Sequence, residues 1–132
     1  MTLSVRSGTS DGAIQVGGAD AYSSSGNALV TDNSFSLSAS LSRQVADTWA
    51  IATYRSCEYV LQVTQSTSYH IIKILVVHDG TNSFRTSYGE MFTGSKLFTV
   101  DTTINGANME LGITLSTATS ATAKWHSVKV KV

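Results

Sequence analysis

Period-2 alternation of large and small side chains, with almost no helical periodicity beside it, is what most constrains the fold of this chain. Phe35-Ser36-Leu37-Ser38-Ala39-Ser40-Leu41 sets large residues against serine, and Cys57, Tyr59, Leu61 and Val63 oppose Glu58, Val60, Gln62 and Thr64. Phe84, Thr86, Tyr88, Glu90 and Phe92 are expected on one face, with Arg85, Ser87, Gly89 and Met91 on the other. Met109, Leu111, Ile113 and Leu115 alternate, as do Val128, Val130 and Val132 with Lys129 and Lys131. Successive side chains of a strand point to opposite faces, so these segments read as half-buried strands.

Turn chemistry agrees. Asp79-Gly80 and Asn105-Gly106 both tolerate the positive φ of a tight hairpin and lie between strand-like runs. Gly94-Ser95 and Ser66-Thr67-Ser68 are weaker breaks. Seven strands are predicted, over 45–54, 56–65, 69–78, 83–92, 97–104, 108–115 and 124–132. Short strands joined by hairpins make an all-β, antiparallel β-sandwich, jelly-roll-like in character. No segment offers a crossover helix, which excludes a doubly wound α/β fold.

The chain changes character near Arg43. Before it, Ser, Gly, Ala and Asn dominate; after it come Trp49, Ile51, Tyr59, Leu61, Ile72, Ile74, Val76, Phe84, Phe92, Leu111, Ile113 and Val130 as expected core. A leader with so little apolar material cannot offset its ordering entropy alone. Residues 1–44 are therefore expected to be an extended N-terminal arm for subunit contacts, and residues 45–132 the sandwich. Ile14, Val16, Tyr22, Leu29, Phe35, Leu37 and Leu41 are the arm's expected contact residues.

Composition narrows the function. Charged residues are 14% of the 132, against a usual share of about 25%, and formal net charge is +0. That leaves no electrostatic footprint for nucleic acid or an anionic membrane, and it favours self-association. Cys57 alone can form neither an internal disulfide nor a cysteine zinc site, and reads as a small buried hydrophobe. Met1–Arg6 does not read as a signal peptide, and the run Ile71–Val77, broken by Lys73, is too short to span a bilayer, so a soluble, cytosol-made protein is expected.

Catalytic and metal signatures are missing. His70 and His78 would stand about 25 Å apart on an extended strand, too far to share a metal. Asp79 is better explained by its turn than as an orienter of His78. The nine carboxylates are scattered; Glu90 reads as a strand residue paired with Arg85 or Lys96. No nucleophile elbow or phosphate loop occurs. The expectation is no enzyme, no catalytic residue and no cofactor. Tyr22, Tyr54, Tyr59, Tyr69, Tyr88, Trp49 and Trp125 suit sugar stacking in type but are read mostly as core or interface anchors. Trp125 either locks the last strand to the core or plugs a neighbouring subunit.

The run Tyr59–Tyr69, continuing through Ile74–Thr81 and Tyr88-Gly89-Glu90, resembles a recurrent β-domain in virion structural proteins of tailed phages, cyanophages among them. Gly12–Ala21 with Ser24–Asn27 resembles segments that precede that domain. The resemblance implies a capsid decoration (cement) protein or a tail or fibre component. A compact domain with an arm, too short for a fibre shaft, suits the cement reading. That reading implies a homotrimer on the capsid surface of the virion, bridging major capsid protein subunits. The alternative is a tail-fibre, neck or other tail component binding host-surface carbohydrate.

Overall fold

The computed structural model describes residues 3–5, 14–16, 19–22 and 26–132, and every regular element among them is a strand. The strands are β1 (Leu3–Val5), β2 (Ile14–Val16), β3 (Ala19–Tyr22), β4 (Ala28–Leu37), β5 (Gln44–Ala50), β6 (Tyr54–Gln65), β7 (Ser68–His78), β8 (Ser83–Phe92), β9 (Phe98–Asn105), β10 (Asn108–Leu115) and β11 (Ala121–Lys131). They form a five-stranded sheet, β4-β11-β6-β7-β8, a three-stranded sheet, β5-β10-β9, and a separate small sheet, β1-β2-β3. All pairings are antiparallel.

The two larger sheets enclose one core. Tyr59, Leu61 and Val63 of β6, Ile72, Ile74 and Val76 of β7, and Ala123 and Trp125 of β11 cluster with Trp49 of β5, Phe98 of β9, and Met109, Leu111 and Ile113 of β10. Burying each large apolar side chain contributes about 1.5–3 kcal/mol. The arrangement is a β-sandwich with jelly-roll nesting in its outer strands: β4 pairs with β11, and β5 inside them with β10. It departs from a full jelly roll because β6, β7 and β8 run on as a meander in one sheet. Trp125 is core, at 4% exposure.

The predicted arm divides. β4 adds to β11 in ten-residue register, so residues 28–37 belong to the chain's own sandwich, and the division at residue 44 falls past a strand of the large sheet. Leu37 is fully buried, Phe35 packs against the core, and Leu29 stands opposite Lys129 on the inner face. The alternation read through Leu41 stops at Leu37; Leu41 is exposed beyond the strand. The predicted contacts of Ile14, Val16 and Tyr22 lie outside the described side chains, although their strands are placed.

The hairpins form with altered geometry. Asn105 pairs with Asn108, so the two-residue loop is Gly106-Ala107, with Gly106 at φ +62° in its first position. This is the position where a type II′ turn takes glycine, rather than the Asn-Gly centre of a type I′ turn. The Asp79-Gly80 turn is a four-residue loop: Asp79 Oδ1 accepts from the amides of Thr81 and Asn82 at 2.9 and 2.7 Å, and Gly80 has φ +97°. Those backbone hydrogen bonds hold the Asp79 carboxyl below its ordinary pKa.

One expected face is inverted. Lys129 is 6% exposed while Val130 is 42% exposed. Lys129 Nζ reaches Asp47 at 3.3 Å and donates to Ser127 Oγ at 3.1 Å. Tyr59 donates to Asp47 at 2.8 Å and accepts from the Trp49 indole at 3.0 Å; the Thr31 and Ser127 hydroxyls lie 2.8 Å apart. This network joins β5 of one sheet to β6, β11 and β4 of the other. A buried charge is tolerated only with such a partner. Burial raises the Tyr59 hydroxyl well above its usual pKa and pushes the Cys57 thiol up to about 12.

Candidate functional site

With Lys129 inside, the outer face of the five-stranded sheet takes an unusual composition. Register sets its cross-strand rows. Ala28, Val130, Ser56, Val77 and Phe84 form the row nearest the start of β4, followed by Val30, Val128, Glu58, Leu75 and Thr86. Further along, Asp32, His126, Val60, Lys73 and Tyr88 align, and then Ser34, Lys124, Gln62, Ile71 and Met91. One half of the face is thus apolar and the other polar with isolated large side chains.

The polar half holds two adjoining depressions. One, of about 520 Å³, is lined by Asp32, Ser34, Gln62, Ile71, Lys124 and His126 among others. The second, of about 340 Å³, shares Gln62 and Ile71 and adds Tyr69, Met91, Phe92 and Thr93. Together they offer a carboxylate, an amide, an ammonium and an imidazole beside an exposed tyrosine and methionine. That mixture can bond hydroxyl groups while an apolar platform supports a flat, weakly polar surface.

A β-bulge shapes the second depression. The β7–β8 register shifts between Ile71 and Lys73, and Gly89 on the opposing strand has φ +65°. The extra residue turns the end of β8 over, correcting the single face expected for Phe84 through Phe92. Phe84, Thr86, Tyr88 and Met91 lie outward, whereas Phe92 pairs with the buried His70 at a ring separation of 5.3 Å. Phe84 and Phe92, both expected core, are about half exposed: Phe84 lies on the outer face, and Phe92 ends β8, the edge strand of its sheet.

Behind the bulge, His70 is held from both sides. The Leu97 amide donates to His70 Nδ1 at 3.2 Å, which places the ring proton on Nε2, 2.9 Å from Glu90 Oε1. Burial lowers the His70 pKa although Glu90 opposes it. Burial also acts to raise Glu90, but hydrogen bonds from Lys96 and His70 outweigh it and hold that carboxyl low. Of the two partners expected for Glu90, the structure selects Lys96, at 3.2 Å. His78, also buried, caps its own turn by accepting from the Gly80 amide at 3.0 Å.

Of the aromatics named from sequence, Trp49, Tyr59 and Trp125 are core, while Tyr69 and Tyr88 stand exposed on this face. Asp79, Gly80, Asn105 and Gly106 lie at loop ends and enter neither depression. Asp32, Gln62, Lys124 and His126 were not singled out by any motif. They are ordinary strand residues, and only the β4–β11–β6 register brings them together.

No protein-family profile matches the chain, and no curated protein matches it in sequence. The tailspike protein of Acinetobacter phage vB_ApiP_P1 shares the fold at TM-score 0.52 and 19% identity, over 96% of this chain and 25% of its own. Tailspike gp49 of Acinetobacter baumannii bacteriophage Fri1, a capsular polysaccharide depolymerase, gives 0.47 at 13% identity over 79% of this chain and 18% of its own. The tailspike of Acinetobacter baumannii phage AM24 gives 0.44 at 7% identity, over 80% and 26%. The chain spans about a quarter or less of these proteins. All three are Acinetobacter phage tailspike proteins and none is a cyanophage or capsid cement protein, so the capsid-cement and capsid-surface expectation finds no support among them. The expectation of no enzyme is not kept: the Fri1 tailspike, of which this chain spans 18%, is a capsular polysaccharide depolymerase.

Proposed function

We propose that this chain is part of a tail component of a bacteriophage virion, of the tailspike kind, and that it binds host-surface carbohydrate. Its binding surface is the polar half of the five-stranded sheet. The observation that carries the reading is the pair of depressions joined at Gln62 and Ile71, where Asp32, Lys124 and His126 stand beside exposed Tyr69 and Met91. Sugars need both kinds of contact: side chains that exchange hydrogen bonds with hydroxyls, and a ring face that covers the apolar side of the pyranose. The shared fold with the vB_ApiP_P1 tailspike supports the setting.

The test is binding of the purified chain to a panel of bacterial capsular polysaccharides and defined glycans. Binding to at least one is expected, with Tyr69→Ala and Lys124→Ala each weakening it about tenfold or more while the unfolding temperature stays unchanged. A folded chain that binds none of the panel, or whose affinity survives both substitutions, would remove this reading.

A further inference from the structure

The connection between β8 and β9, residues 93–97, is fastened to the sandwich along its whole length. The Thr93 amide donates to Tyr69 O at 3.0 Å, and Thr93 Oγ1 accepts from the Tyr69 amide at 3.1 Å. Lys96 pairs with Glu90 at 3.2 Å, and Leu97 O accepts from the Ser116 amide at 2.8 Å. The Leu97 amide differs from these backbone groups in its acceptor. That acceptor is a side chain able to titrate, His70 Nδ1 at 3.2 Å.

An imidazole accepts at Nδ1 only while that nitrogen carries no proton. The ring has no room to turn, because it lies between Phe92 and Phe98 with ring centroids at 5.3 and 4.2 Å. Its Nε2 is committed to Glu90 at 2.9 Å. Glu90 of β8 and Lys96 of the connection are the charged groups that act on it among the described residues. Val63, opposite on β6, and Phe98 of β9 are apolar. A second proton must therefore enter at Nδ1, where it meets the Leu97 N–H. Glu90 attracts the cation but sits at the other nitrogen. Two donors facing each other in a buried site leave both unsatisfied, and moving the amide away relieves that cost.

We propose that His70 is a proton-operated latch: a second ring proton releases the Leu97 amide, frees residues 93–97 and reshapes the second depression, which His70, Phe92 and Thr93 help to line. The closed form holds that proton less tightly than an opened one, in which the ring regains water. Opening is therefore favoured as pH falls below the ordinary 6.5 of histidine, by at most about tenfold per pH unit. Burial, which lowers the His70 pKa in the closed form, acts in the same direction. The latch stands on these contacts alone; its effect on a bound glycan rests on the carbohydrate reading.

Amide hydrogen exchange of the full chain, followed by NMR at pH 7.5, 6.5 and 5.5, reads the latch directly. Protection factors of the Leu97 and Thr93 amides, referred to the intrinsic rate at each pH, are expected to fall at least about threefold between pH 6.5 and 5.5. Those of Leu61 and Ala123, inside the large sheet, should stay level. The His70 ring nitrogens of the parent should take up their second proton over the same interval. His70→Gln, whose amide can accept from Leu97 and donate to Glu90 without titrating, should show no fall; if it does not fold, the ring titration of the parent decides. Level Leu97 protection, a fall shared by Leu61 and Ala123, ring protonation outside that interval, or the same fall in folded His70→Gln would each overturn the latch. A glycan bound by the parent should bind at least about threefold more weakly at pH 5.5 than at 7.5, with no such pH dependence in His70→Gln. Equal affinity at both pH values would remove the link to the depression and leave the carbohydrate reading standing. A panel with no binder would remove that reading and leave the latch to the exchange data.

Discussion

Lys129 places a buried charge between the two sheets, held by Asp47 and Ser127. Its side chain is 7% exposed, and its ammonium has Asp47 as its only carboxylate partner among the described residues. Removing one member of a buried pair leaves the other desolvated without compensation, which typically costs about 3–5 kcal/mol. Asp47→Ala is expected to destabilise in that range, and Lys129→Met together with Asp47→Ala by much less, because no stranded charge remains. Urea unfolding midpoints of the two variants measure the difference; equal losses would mean that the pair does not act as a unit. The same residue explains why the last strand was misread. Val-Lys alternation marks the valines as the buried set by default, and nothing local shows that Asp47, eighty-two positions earlier, will neutralise the lysine.

At the scale of the strand and its turns, two positive-φ residues predict opposite outcomes. Gly89 adopts φ +65° with nothing within 4 Å of where a Cβ would sit, so a substitution there meets only the conformational penalty. Gly89→Val should cost about 1–2 kcal/mol, seen as a fall of several degrees in Tm. Ser66, at φ +53° in the two-residue loop between β6 and β7, holds that strain now, and Ser66→Gly should raise Tm by a few degrees. If both substitutions shift Tm in the same direction, the left-handed geometry is not what sets their energies. Strand positions were legible: the segments expected over 56–65, 69–78, 83–92 and 108–115 appear within two residues of those bounds, because alternation and turn residues are local signals. Which face is buried was less so. The bulge opposite Ile71 reverses the end of β8, and β8 is the edge strand of the large sheet; both depend on sheet order. The candidate binding surface was legible only as Tyr69 and Tyr88, since its polar members become neighbours through pairings between distant strands.

For the molecule as a whole, the coupled set around His70 makes stability depend on acidity. His70 has a pKa below its ordinary 6.5, so the unfolded chain takes up its proton first, and the stabilisation present above that pH is lost as pH falls. Glu90 and Glu110, held below 4.5, act in a lower window. Tm is therefore expected to drop between about pH 7 and pH 5, and the drop should shrink in His70→Gln. An unchanged slope in that variant would assign the dependence elsewhere. The position of β11 carries a further consequence, for synthesis. This strand lies between β4 and β6, so until Ala121–Lys131 has been translated the emerging polypeptide holds two strands with a vacant slot between them. Nascent chains on the ribosome would present unzipped backbone to each other, which makes crowded translation, rather than the folded state, the stage at which this protein is most exposed to mispairing.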